Sequence, residues 1–408
     1  MARSESLARP RSRKPLIEMA RRHLAHARAG SVDRAPAVHR VPARHYTDPE
    51  RARAEQERIF RRLPLVLAFS CELREPGAWK ATEAVGVPVL LVRDDDGGVR
   101  AFLNACSHRG AIVVREGSGC ARRFTCPYHG WSYDASGALV GIANRAEFGE
   151  VDASRLGLVP LPAGERAGLV FVTLREDAPL DLDTFLCGYG DVLTQLGLES
   201  CHLVGRQSVA GPNWKVAYDG YLDFYHLPIL HRNSFGPRMP NRALYDAWGP
   251  HQRVSMPDPR LARLESLPEE QWDVEALTGG VWTVFPHVSI ADFQAGGKLY
   301  MVSQLFPGDR VGESLTVQSF LATSEPDEAA RAAIAETMKF LLHVVRDEDY
   351  ATGLGIQRAL ETGATRDVLF GRNEWGGQRF HRFVDALLRA EDEDLAAVLE
   401  AGVDGGEA

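Results

Sequence analysis

Hydrophobic and polar positions change pattern twice along this chain. The first sixty residues mix Ala, Arg and His with apolar positions at helical spacing, predicting two short helices, Pro15 to Arg28 and Pro49 to Arg61, separated by a stretch with Gly and Pro. This part reads as a segment leading into the fold, without a core of its own. From Leu63 to Val172 the apolar residues come in short β-rich runs at 63–69, 89–92, 99–103 and 169–172, with Asp94-Asp-Asp-Gly97-Gly98 as a hairpin turn between two of them. A small all-β domain follows from this pattern. Beyond residue 200 the pattern mixes: a helix over Asn213 to His226, and strands over Val281 to Phe293, Leu299 to Leu305 and Ser314 to Thr323. A long amphipathic helix then runs past Asp349, opened by Ser324 as N-cap with Pro326 in its first turn. The fold class is therefore α+β, divided as an N-terminal helical arm (1–60), a β domain (61–172) and an α+β domain (173–408). The Gly/Glu/Asp-rich end after Glu391 reads as a solvated tail, and the basic run Arg9 to Lys14 as an exposed arm.

Composition narrows the class of function. The chain has 408 residues, enough for two or three domains. Lys and Arg number 47 against 55 Asp and Glu, a net charge of −8, which gives no general attraction to a phosphate backbone and makes nucleic acid an unexpected partner. Apolar runs fall far short of the ~20 residues that a membrane span needs, and no apolar core or cleavage site follows the basic N-terminus. Six cysteines at irregular positions 71, 106, 120, 126, 187 and 201 do not form a disulfide framework, so a reducing cytoplasm is the expected location.

Two groups of residues carry chemistry. Cys106-Ser107-His108 is followed, after 17 intervening residues, by Cys126-Pro127-Tyr128-His129. Each pair alternates a thiolate with an imidazole, whereas a zinc finger takes both Cys from one segment and both His from the other. The mixed set suits a two-iron cluster with Cys106 and Cys126 on one iron and His108 and His129 on the other. A zinc ribbon is the competing reading, and Cys120, without a matching partner, reads as a small buried hydrophobe.

The second group is Asp219, Asp223, His226 and His231. On a helix the first three stand at i, i+4 and i+7, hence on one face, while His231 is splayed from His226 by about 140°. Pro228 is expected to bend or end the helix so that both imidazoles converge. Two His need a carboxylate to complete the facial set of oxygen-activating ferrous sites. On the long helix, Ile334, Met338, Leu342, Val345 and Asp349 share a stripe, with Asp347 about 200° and Glu348 about 100° away from Asp349. Asp349 is thus the expected third ligand, against the alternative of a helix-terminal Asp paired with an Arg. His287 and His381 read as core or surface residues, and Arg109 as either a docking contact for an acidic electron donor or an ordinary surface Arg.

The segments Cys106-x-His-Arg-Gly110 with Cys126-Pro-Tyr-His-Gly-Trp131, and Asp223-x-x-His226-x4-His231, resemble the Rieske non-haem iron oxygenases, the α-subunits of ring-hydroxylating enzymes. Many family members carry Glu-Asn where this chain has Asp219-Gly220. The resemblance implies a Rieske [2Fe-2S] domain followed by a helix-grip (START-like) catalytic domain, a curved antiparallel sheet around a long helix. It implies a mononuclear Fe(II) held by His226, His231 and Asp349, with O2 as co-substrate and a small organic, aromatic substrate to hydroxylate, dihydroxylate or demethylate. Electrons would come from NAD(P)H through a separate reductase, with or without a ferredoxin. It further implies a homotrimer in which Asp223, or else Asp219, links a ligand histidine to a cluster histidine of a neighbouring subunit. An electron-transfer Rieske protein without oxygenase activity is the alternative.

Overall fold

The computed structural model describes residues 10–403 except 178, 238, 240, 258 and 273–278. Part of the basic arm (Arg9) and the last residues of the acidic tail lie outside the described residues. The chain divides into two compact units: Gln56–Phe185 with Leu198–Ser200, and the remainder. The N-terminal segment up to Glu55 belongs to the second unit. It is also less peripheral than its composition suggests, since the helix Pro10–Ala29 buries Leu16, Met19, Ala20 and Leu24.

The first unit is built mainly of β-strands, with short helical segments such as Arg145–Phe148. A five-stranded antiparallel sheet runs in the order Pro160–Leu161, Val99–Leu103, Val87–Arg93, Ala78–Ala84, Gly117–Cys120. Strands Arg123–Thr125, Ser132–Asp134 and Leu139–Gly141 form a smaller sheet. The hairpin predicted at Asp94 to Gly98 is present, with Gly97 at φ 84° and the Asp94 amide bonded to the Gly98 carbonyl. Leu90, Val92, Phe102, Phe124, Trp131 and Tyr133 build the core, and both Cys106 and Cys126 are buried in it.

In the second unit, seven antiparallel strands form one sheet: β1 (His202–Gly211), β2 (Leu244–Trp248), β3 (His251–Ser255), β4 (Val281–Val284), β5 (Val288–Gln294), β6 (Lys298–Pro307) and β7 (Ser314–Ala322). Their order is β1-β7-β6-β5-β4-β3-β2. The strand expected over Val281 to Phe293 is in fact the hairpin β4–β5, turned at a cis Phe285–Pro286 bond. Ile334 and Leu341 of the long helix pack on Leu299, Met301 and Phe320 of the sheet. That helix starts at Glu328 and not near Ser324: Asp327 is its N-cap, accepting from the Ala330 amide, so Pro326 precedes the helix.

Three further expectations are corrected. The helix over Asn213 to His226 stops at Asp219; Asn213 caps it, and after two turns a separate short helix occupies Leu227–Leu230. Pro228 is therefore not a kink inside a helix but sits in the first turn of a new one, where its missing N–H costs nothing. The segment after Glu391 is not a solvated tail: Leu395–Ala401 is helical and buries Leu395 and Leu399.

Candidate metal centres

The two Rieske-like loops have the same backbone plan. In each, the Cys amide bonds to the carbonyl five residues on (Cys106 to Ala111, 2.8 Å; Cys126 to Trp131, 2.7 Å). In each, a glycine four residues after the Cys (Gly110, Gly130) returns its amide to the Cys carbonyl at positive φ, which explains the glycines in both motifs. The loops bring His108 and His129 together, with ring centroids 4.6 Å apart, and His108 stacks on Trp131 at 4.9 Å and 9°. Both thiols are buried while both imidazoles are partly exposed. His108 Nδ1 is buried without a hydrogen-bond partner, a state that costs free energy and that a metal ligated there would relieve. The donor set thus fits a cluster with an inner thiolate end and an outer imidazole end. The Tyr133 hydroxyl stands 3.1 Å from Cys106 Sγ, where it can donate to the thiolate and raise the potential of a bound cluster; burial pushes its own pKa up to about 12. Cys120, expected to be buried, is exposed.

The second centre gathers what the sequence places far apart. His226, His231 and Asp349 offer donor atoms that all lie within 4.8 Å of one another. Asp349 Oδ1 is 3.1 Å from His231 Nε2 and 3.9 Å from His226 Nε2. Each imidazole turns Nε2 towards this point and Nδ1 towards a carboxylate: His226 Nδ1 donates to Asp223 Oδ1 (3.0 Å), His231 Nδ1 to Glu348 Oε2 (2.7 Å). Such pairing fixes the tautomer that leaves Nε2 free to ligate. Two imidazoles and one carboxylate on one side, with the other positions open, fit a ferrous ion. Burial opposes charge on His231, but the carboxylates of Asp349 and Glu348 outweigh it and raise its pKa.

Asp223 does not owe its position to a helical face. It lies in the turn between the two helices and accepts the amides of Tyr225 and His226 as well as the imidazole, all on Oδ1. Among the described residues no hydrogen bond is made to Oδ2. Asp219 points elsewhere, bonding His381 Nε2 (2.9 Å) and the Tyr46 hydroxyl (3.1 Å). His381 is therefore a core residue, as expected, yet one that holds a wall of the pocket. A cavity of about 270 Å³ is lined by Asp219, Tyr221, Asp223, His226, Asp349 and Tyr350, among others. His287 is fully buried beside Phe306, and burial lowers its pKa to about 3.

Glu348 was missed by the helical wheel, for a local reason. The long helix is π-helical over Val344–Tyr350, and the wider turn brings the adjacent Glu348 and Asp349 to the same site. Asp347 points outward, paired with Arg346 and His343. Because Glu348 only orients His231, Glu348→Gln should keep the metal site but weaken iron binding about 10–100-fold, measured by iron titration of the apo-site. Unchanged affinity would show that His231 is held by its burial alone.

A thiolate–imidazole loop pair and a two-His, one-carboxylate site in one chain define a Rieske protein with a second, mononuclear iron centre. The comparisons agree. Residues 64–154 match the Rieske [2Fe-2S] domain, and residues 198–390 match the ring hydroxylating alpha subunit (catalytic domain). The chain belongs to the Rieske non-haem iron oxygenase α-subunit family. It is 37% identical over 196 residues to the chlorobenzene dioxygenase subunit alpha of Cupriavidus sp. (strain PS12), covering 46% of this chain and 43% of that one. It is 34% identical over 199 residues to the carnitine monooxygenase oxygenase subunit of Escherichia coli (strain K12), covering 47% and 52%. The chain thus spans about half the length of the curated relatives it matches. Among solved structures, a quaternary ammonium Rieske monooxygenase in complex with L-carnitine superposes with TM-score 0.70 at 22% identity, over 89% of this chain and 97% of that one. Naphthalene 1,2-dioxygenase from Rhodococcus sp. bound to indole gives 0.68 at 22%, over 95% and 98%. At this identity the superpositions speak for the fold. Among the described residues no helix is long and apolar enough to cross a membrane.

Proposed function

We propose that this chain is a terminal oxygenase that passes electrons from a Rieske cluster to a mononuclear iron and uses O2 to oxygenate a small organic substrate. The observation that carries the reading is the His226–His231–Asp349 site, which an electron-transfer Rieske protein has no use for. When bound, the cluster supplies single electrons and the ferrous ion the place where dioxygen is reduced. The protein's part is to hold three donors on one side, to fix both imidazoles by carboxylates, and to keep a cavity of about 270 Å³ beside them for substrate.

Electrons would come from NAD(P)H through a separate reductase, with or without a ferredoxin, and the compartment proposed is the cytoplasm. Aromatic substrates fit the dioxygenase relatives, and oxidation of a quaternary amine fits the carnitine relative. A homotrimer fits the exposed apolar residues that each unit carries near its own centre: Tyr128 and Phe148 by the cluster loops, Tyr225, Ile229, Ile356 and Leu369 around the iron site. In such a ring Asp223, with Oδ1 committed to His226, keeps Oδ2 for a cluster imidazole of the neighbouring subunit.

Anaerobic metal analysis should find one iron beyond the cluster pair, and reductase-driven turnover should place oxygen from ¹⁸O2 in the product. A chain with cluster iron only would sink the reading in favour of electron transfer. Asp223→Asn keeps size but loses charge, so both metals should stay while oxidation of a pre-reduced cluster, on adding substrate and O2, slows on the order of 100-fold. Wild-type-like single-turnover kinetics would move the electron path to Asp219 or elsewhere.

A further inference from the structure

Three tyrosines line the cavity that His226 and Asp349 also line: Tyr46, Tyr221 and Tyr350. What their hydroxyls touch separates them. Tyr350 bonds the hydroxyl of Thr316, and Tyr221 sets its hydroxyl against Ser303 and Tyr350, so both face neutral groups. Tyr46 faces a carboxylate and an imidazole: its hydroxyl is 3.1 Å from Asp219 Oδ2 and 3.0 Å from His381 Nε2. Tyr46 is 1% exposed, and burial together with the Asp219 charge raises its pKa well above the ordinary value, so it rests as a neutral phenol.

The ring is held from two sides. The Tyr46 carbonyl accepts from Nδ2 of Asn213, the cap of the helix Trp214–Asp219 (3.2 Å), and from Nε2 of Gln357 on the helix Ala351–Glu361 that continues from the π-helical turn (3.3 Å). One orphaned atom then fixes where the protons sit. His381 is 1% exposed, and its Nδ1 is buried with no hydrogen-bond partner among the described residues. An N–H there would be an unsatisfied donor, so the ring proton is on Nε2 and goes to Asp219 Oδ1 at 2.9 Å. That leaves Asp219 Oδ2 as the acceptor for the Tyr46 proton.

We propose that Tyr46 is a redox-active residue: it gives one electron to an oxidant of the peroxide class acting at the metal, while its phenol proton passes to Asp219, and so spares the ligand histidines when no substrate is in place. This goes beyond the oxygenase reading and rests on it for the metal. A phenol gives up an electron readily only if its proton leaves as well, because the phenol radical cation is a very strong acid. A carboxylate already bonded to the hydroxyl takes that proton without rearrangement. Dioxygen reduced by two electrons with no substrate to oxidise stands at the level of peroxide. Hydrogen peroxide takes up two electrons and two protons to become two waters. The ferrous ion gives one electron and becomes ferric, Tyr46 gives the other and becomes a neutral tyrosyl radical, Asp219 becomes the carboxylic acid, and the two protons for water come from solvent.

The test uses the holoenzyme with ferrous mononuclear iron and oxidised cluster, free of substrate, mixed with hydrogen peroxide and frozen at intervals for electron paramagnetic resonance. A radical signal is expected that narrows when the protein carries ring-deuterated tyrosine. Tyr46→Phe should lose it, and Tyr221→Phe and Tyr350→Phe should keep it. Asp219→Asn holds its shape but turns an amide N–H towards Tyr46 in place of the acceptor, so the radical should form on the order of 100-fold more slowly. In the same samples, peptide masses should show more oxygen added to His226 and His231 in Tyr46→Phe than in the wild type. Cluster colour and iron content report whether each variant is folded and loaded. Ferric iron formed without a tyrosyl signal, a signal unchanged in Tyr46→Phe, a wild-type rate in Asp219→Asn, or histidine oxidation that does not rise in Tyr46→Phe would overturn the proposal. Failure of the oxygenase reading is separate: the peroxide-driven radical would still form while no oxygen from ¹⁸O2 enters a product.

Discussion

In Asp349→Ala the mononuclear iron is lost while the visible spectrum of the cluster keeps its wild-type strength, and in Asp347→Ala both are retained. Asp349 is the carboxylate that lies with His226 and His231, its Oδ1 3.1 Å from His231 Nε2, and would be the anionic donor to a metal held there. Changes to groups that merely hold the ligands already cost 10–100-fold in metal affinity, so loss of a ligand should cost on the order of 100-fold or more. Asp347 is two residues away yet bonds only Arg346 and His343 at the surface. Iron content measured beside the cluster absorbance gives both answers from one sample. Iron loss in Asp347→Ala with retention in Asp349→Ala would invert the assignment of the helix.

Cys126→Ser should abolish the cluster's colour altogether. The side chain is 2% exposed within the core of the β unit, and a hydroxyl is a poor iron ligand at neutral pH compared with a thiolate. The mononuclear site is built entirely from residues of the other unit and should keep its iron. The measurement is visible absorption against iron content after anaerobic reconstitution. An intact Rieske spectrum in this variant would remove Cys126 from the ligand set.

The cluster loops were legible because their chemistry is local: each motif carries its Cys, its His and the glycine that closes the turn within a few residues. The sequence also singles out His226, His231 and Asp349, which the structure brings together, but partly through reasoning that the structure replaces. The helix expected to align Asp219, Asp223 and His226 ends at Asp219, and the turn that follows is held by the Asp223 carboxylate and backbone amides. A periodicity argument has no means of seeing such a turn. Asp219 is an alternative to Asp223 only on that assumed face, whereas its partners are Tyr46 and His381, 173 and 162 residues away in sequence. Contacts across the sheet are hidden from the sequence for a related reason: Gln318, Ser303 and Ser289, on three different strands, become neighbours only once strand register is set.

The widened turn at Val344–Tyr350 has a consequence for anyone who would transplant this centre into another scaffold. An idealised α-helical rebuild that kept Asp349 on the iron would tighten this turn and draw Glu348 away from His231 Nδ1. The seven residues are a single transferable part, and trimming one to restore ideal helical geometry would separate the ligand from the brace of its partner histidine.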